Sequence, residues 1–122
     1  MIKSPELKRG IYFASTDVYT KEGDLIFKIG RSKNVMSRLI SESKEALCAN
    51  PKNYLANAKI IHLPDNEKKS EIDLETAVHR ALRGKRFRKE LFTNISFDEI
   101  ESIVKSENYM YKATSYAEIA SK

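Results

Sequence analysis

Residue types able to handle a phosphate recur along the chain: Tyr12 in Gly10-Ile11-Tyr12, Lys28 in Lys28-Ile29-Gly30-Arg31-Ser32, Arg38 a little further on, and the pair Glu75 and His79. The planar guanidinium of Arg38 can grip a phosphate with two hydrogen bonds and offset charge that develops during reaction. Its plain alternative is an exposed ion pair of small energetic worth. Glu75 and His79 stand one helical turn apart, neighbours on a single face. At about 100° per residue both fall beside the arc of Ile72, Val78 and Leu82, at the border of an apolar side. A carboxylate there can bind Mg²⁺ together with phosphate oxygens and waters. The same spacing also decorates ordinary helices, and it is too sparse for a protein-only zinc site. Tyr12 is a candidate general base or water-orienting group, with Gly10 and Ala14 leaving space around its ring. A free phenol titrates at about pH 10, so Tyr12 needs help, and Lys28 on a neighbouring strand could stabilise its phenolate. Otherwise Tyr12 is a packed tyrosine with its hydroxyl hydrogen-bonded.

The elements that must position these groups follow from the apolar pattern. Gly10–Ser15 alternates and is rich in strand formers, and Leu25–Ile29 follows a polar connection containing Glu22-Gly23-Asp24, which predicts an antiparallel hairpin. Residues 34–47 carry Val35, Met36, Leu39, Ile40 and Leu47 at helical spacing with Asn34 as N-cap, and a loop containing Asn50-Pro51 stops that helix. Ala58–Leu63 reads as a third strand ended by Pro64. A second helix begins near Ser70 with Ile72, Leu74, Val78 and Leu82 as its apolar side, and Ser96 with Glu99 forms a capping box for a third. The stretch from Tyr109 onward has weak helical character and receives no assignment. The expected fold is α/β (α+β): a small three-stranded sheet with an N-terminal antiparallel hairpin, flanked by helices, in order β-β-α-β-α-α. One domain is expected over residues 1–122, with a core of about 10–104 and a C-terminal extension over 105–122.

The order Gly10-Ile11-Tyr12, Lys28-Ile29-Gly30, Arg38 and Glu75 resembles the GIY-YIG nuclease superfamily. Lys28–Ser32, the Glu75/His79 pair and Glu90-Leu91-Phe92 look like its phage-type branch. The resemblance implies a magnesium-dependent endonuclease (Mn²⁺ serving equally as an oxygen-seeking ion) acting on DNA phosphodiesters. In it Tyr12, Lys28, Arg38 and Glu75 are catalytic, and Glu75 is the metal ligand. Arg31, His79 and Glu90 position substrate; His79 has a structural alternative, and Glu90 is a second acidic ligand or a simple hydrogen-bond acceptor. Three positions depart from the wider pattern: Lys28 stands where the name-giving motif has tyrosine, Glu42 where several members have histidine, and Glu90 near a common asparagine.

Composition sets the outer limits. Hydrophobic residues make up 41% and charged residues 32%, a globular balance with too little charge imbalance for a disordered chain. The net charge of +5 favours a polyanion by long-range attraction. Arg83, Lys85, Arg86, Arg88 and Lys89 cluster around Gly84 and Phe87, either as a DNA-phosphate strip that releases counterions or as a solvated basic loop. Nothing is long and apolar enough for a membrane partner, and Met1–Glu6 lacks the apolar run of a secretory leader. A lone Cys48 makes no internal disulfide, which suggests a reducing, cytoplasmic setting; it reads as a buried small hydrophobe more than as a thiol site. Specificity is expected to be low, or to come from a homodimer or a protein partner. The rival readings are a catalytically inactive nucleic-acid-binding module on the same fold, and a small phage or mobile-element protein that acts by binding a host protein through Tyr109, Tyr111 and Tyr116.

Overall fold

The N-terminal hairpin lies at the centre of the sheet, with strands added on both of its sides. The computed structural model describes residues 8–45 and 50–120. Its elements run β1 (Gly10–Tyr19), β2 (Leu25–Ser32), α1 (Val35–Glu42), α2 (Pro51–Ala56), β3 (Lys59–His62) and α3 (Glu71–Ala81). A 3-10 turn (Arg83–Lys85) follows, then β4 (Arg86–Arg88), β5 (Leu91–Thr93), α4 (Phe97–Ser106), β6 (Lys112–Ser115) and α5 (Tyr116–Ala120). All strand pairs are antiparallel, in the order β4-β5-β2-β1-β3-β6.

The expectation of three strands is therefore corrected to six. β4 and β5 have three residues each, and β6 reads Lys-Ala-Thr-Ser, so none carries enough alternation to announce itself. Pairing with neighbouring strands, β5 on the longer β2 and β6 on β3, makes them strands. Asn50-Pro51 is corrected too, because it starts a helix. The Asn50 side chain accepts from Asn53 N at 3.2 Å, and Pro51 occupies the first turn of α2, where a missing N–H costs nothing. α1 ends at Glu42; Leu47, Cys48 and Met1–Glu6, on which the leader expectation rests, lie outside the described residues. The caps expected at Asn34 and Ser96 are present, the latter with its reciprocal Glu99 bonds, and Ser70, near which a helix was expected to begin, caps α3. The C-terminal stretch is built into the domain, since β6 pairs along β3 while Tyr109 and Tyr111 pack on the core.

Strand parity splits the interior in two. Ile11, Phe13 and Ile29 face α3 and α4, meeting Leu74, Val78, Ile100 and Val104. Tyr12 and Ala14 face the opposite way, against Val35, Leu39, Tyr54 and Ile60 beneath α1 and α2. β1 is thus covered on both faces, which explains its unbroken buried run from Gly10 to Thr16. Ile72, expected on the apolar side of α3, is 46% exposed; Glu71 and Glu75 take buried places on that helix instead. Among the described residues no helix is long and apolar enough to cross a membrane.

Candidate active site

The hairpin register decides which candidate residues can meet. Tyr12 pairs with Gly30 and Ala14 with Lys28, so these four share the α1 face. Ile11 pairs with Arg31, which places Arg31 on the α3 face with Glu75 and His79. Both motif glycines are required by close approach. A Cβ on Gly30 would collide with the Tyr12 ring and hydroxyl, and one on Gly10 would collide with the Ile61 carbonyl of β3.

On the α1 face the centre is Glu42, 3% exposed. Its Oε1 accepts from the Tyr12 hydroxyl and from Tyr54 Oη at 3.1 Å. Its Oε2 meets Lys28 Nζ at 2.6 Å and Arg38 Nε at 2.9 Å. Four donors on one carboxylate compensate its loss of water. Burial, then the hydrogen bond to Glu42, raises the Tyr12 pKa well above the ordinary phenol value. Lys28 is committed to Glu42, and the Tyr12 proton is held, so the geometry does not set up the Lys28-assisted phenolate expected from the sequence. Contact with the Tyr12 hydroxyl, then the charge of Glu42, raises the Arg38 pKa in turn. The Arg38 side chain is about half exposed, and with five N–H groups it keeps donors for an incoming anion.

On the α3 face Glu75 is nearly as buried, at 9% exposure, yet poorly served. Arg31 Nε lies 3.3 Å from its Oε1, while its Oε2 is buried with no hydrogen-bond partner among the described residues. His79 Nε2 is 3.8 Å from that oxygen, beyond hydrogen-bond reach, and instead lies 3.1 Å from the Ile29 carbonyl. Burial lowers the His79 pKa and favours the neutral ring, which ties α3 to β2 and lies 5.0 Å from the Phe92 ring at an interplanar tilt of 54°. Burial, then the Glu90 carboxylate against it, push the Glu75 pKa up to about 7.

Glu90 joins the two faces. β5 pairs with β2 only as far as Lys28, followed by one backbone bond from Ile29 N to the Glu90 carbonyl at 2.9 Å. Beyond it, among the described residues, β2 has β1 on one side and no strand on the other. At this open edge the Glu90 carboxylate comes within 3.7 Å of Lys28 Nζ and lies against Glu75. Arg38, Glu42, Lys28, Glu90, Glu75 and Arg31 therefore form one chain of charges that turns around the edge of β2. Only its Glu90–Glu75 link joins two like charges.

Two members of the Glu42 cluster are missing from the candidates drawn from sequence. Glu42 entered only as a departure from a pattern, although its i,i+4 relation to Arg38 is a legible signal. Tyr54 carried no signal, because its helix was taken for a loop. The basic strip is divided by the fold: Lys85 Nζ binds Glu99 Oε2 at 2.7 Å, whereas Arg86 and Arg88 stand exposed on edge strand β4, with Lys89 at the turn that presents Glu90.

Residues 9–107 match the family described as T5orf172 domain, which occurs in phage and mobile-element proteins and is related to nuclease-like folds. No curated protein and no solved structure matches the chain.

Proposed function

The chain belongs to the T5orf172 family, and from that premise we propose that it is a divalent-metal-dependent endonuclease hydrolysing phosphodiester bonds in DNA. The observation that carries this reading is Glu75, a buried carboxylate with one orphaned oxygen, pressed against a second carboxylate and beside the half-exposed Arg31. Mg²⁺ or Mn²⁺ fits this donor set. Among the described residues no group of three or more acidic, histidine or cysteine side chains could hold a metal unaided, which suits an ion that keeps waters and substrate oxygens in its shell. Held by Glu75 and Glu90, the ion would supply Lewis-acid stabilisation of the leaving oxygen.

The remaining work falls to the chain's own side chains. Arg38 binds the scissile phosphate from the α1 face, and Arg31 approaches it from the α3 face. Lys28, with its side chain 16% exposed between Glu42 and Glu90, adds positive charge at the open edge of β2. Tyr12 acts as a positioning residue: it holds Glu42, which in turn orients Lys28 and Arg38. His79 fixes α3 against the Ile29 carbonyl and so sets the height of Glu75 over the edge. Exposed cations on β4 hold the DNA backbone without selecting sequence.

The non-catalytic nucleic-acid-binding reading has one observation in its favour, the burial of both Tyr12 and Glu42, which removes the obvious proton acceptors from water. The test is cleavage of supercoiled, linear, single-stranded and branched DNA with Mg²⁺, Mn²⁺ or EDTA. Nicking that needs the metal and is lost in Glu75→Ala and Arg38→Ala supports the enzyme. Salt-sensitive binding with no cleavage of any form supports the module.

A further inference from the structure

Among the exposed large apolar side chains, Phe87 has a setting the others lack. It is 48% exposed in edge strand β4, between Arg86 and Arg88, at the end of the sheet nearest the open edge of β2. Arg86 pairs with Phe92 and Arg88 with Leu91, so Phe87 is the extra residue of a bulge and has no partner across the ladder. Bulges at sheet edges re-aim a side chain and occur beside active sites. The Arg88 guanidinium carbon lies 5.9 Å from the Phe87 ring centroid, and Arg86 Nε donates to the Lys89 carbonyl at 2.6 Å, bracing the turn. That turn, with Lys89 at φ 47°, delivers Glu90 to Glu75 and Lys28.

Charge on an edge strand is an ordinary guard against edge-to-edge pairing, and Arg86 and Arg88 suffice for it. The guard gives no reason to hold a phenyl ring in water, where exposed apolar surface is unfavourable. Flanking cations with an open aromatic face are what a single-stranded nucleic acid uses, the cations tracking the backbone and the ring stacking on a base. A base within a duplex is stacked above and below and offers no such face.

We propose that Phe87 is a stacking platform for an unpaired DNA base, so that the site takes single-stranded DNA, or the unpaired part of a branched duplex, at the phosphate beside Glu90. This rests on the nucleic-acid half of the function proposed above and names its substrate class. The experiment measures binding in EDTA, where no cleavage intrudes, by fluorescence anisotropy with a labelled single strand and a duplex of equal length. Phe87→Ala should weaken single-strand binding by about tenfold and leave duplex binding and the salt dependence unchanged. Arg88→Ala should weaken both DNA forms and reduce the salt slope by about one. The chain has no tryptophan, so Phe87→Trp places a sole indole at the platform, and its fluorescence should be quenched by the single strand and not by the duplex. Equal losses on both DNA forms in Phe87→Ala, or an indole indifferent to single strands, would overturn the platform. Absence of cleavage with the single-strand preference intact would sink only the nuclease reading.

Discussion

Two buried glutamates sit on opposite faces of the same sheet, and the fold treats them in opposite ways. Glu42 receives hydrogen bonds from two tyrosines and meets two cations. Glu75 has one cation beside one oxygen, no hydrogen bond to the other among the described residues, and a second carboxylate against it. A buried ion whose donors are complete holds structure in place. One whose donors are incomplete, in a site that opens to a substrate, is held ready for a ligand. The contrast assigns Glu42 to architecture and Glu75 to binding.

The largest effect that could break this contrast is on cleavage. Glu75→Gln should lower the cleavage rate roughly a thousandfold, while its melting temperature stays level or rises, because a neutral amide relieves the repulsion from Glu90. A large loss of stability in that variant would mean Glu75 is structural after all. Next comes Glu42→Ala, which removes the shared acceptor of the Tyr12 and Tyr54 hydroxyls and leaves Lys28 only its longer contact with Glu90. It should cost about 3 kcal/mol in urea unfolding, and an undisturbed midpoint would remove Glu42 from the architecture.

The pH dependence sharpens the difference further. The Glu75 pKa is raised in the folded state from 4.5 to about 7. Across that window the native protein therefore binds more protons than the unfolded chain, and the stability contributed by this group falls as pH rises. Mg²⁺ should reverse the loss by replacing the proton, so the rise in melting temperature on adding Mg²⁺ should be larger at pH 8 than at pH 5. A rise independent of pH would place the ion elsewhere. The smallest effect concerns Lys85, paired with Glu99 where both side chains are 40% exposed. Lys85→Ala should change stability by less than about 1 kcal/mol and weaken DNA binding less than Arg88→Ala.

Much of the frame was legible in the sequence, because β1, β2, β3, α3 and α4 have the length for a periodic pattern and the caps to bound it. The short strands were not, since Arg-Phe-Arg becomes a strand only when β5 lies beside it. Asn-Pro marks the end of one helix and the start of another equally well, so α2 and with it Tyr54 were lost to a loop. The types of the candidate site residues were legible, but not their distribution. The faces to which Tyr12, Lys28, Arg31 and Glu75 belong depend on hairpin register, and a shift by one residue exchanges them. The expectation that Lys28 serves the Tyr12 oxygen overlooked Glu42, which takes a hydrogen bond from one and an ion pair from the other.

The same register gives the two motif glycines a role in how the chain folds. Gly30 admits the Tyr12 ring and Gly10 admits the Ile61 carbonyl. In a hairpin slipped by one position, Tyr12 would face Ile29 or Arg31 in place of Gly30, and a slip of β1 along β3 would set a residue with a side chain against the Ile61 carbonyl in place of Gly10. Such misaligned pairings carry a steric clash that the native register avoids. The glycines thus select the native strand alignment on steric grounds, beyond any part they play in the site itself.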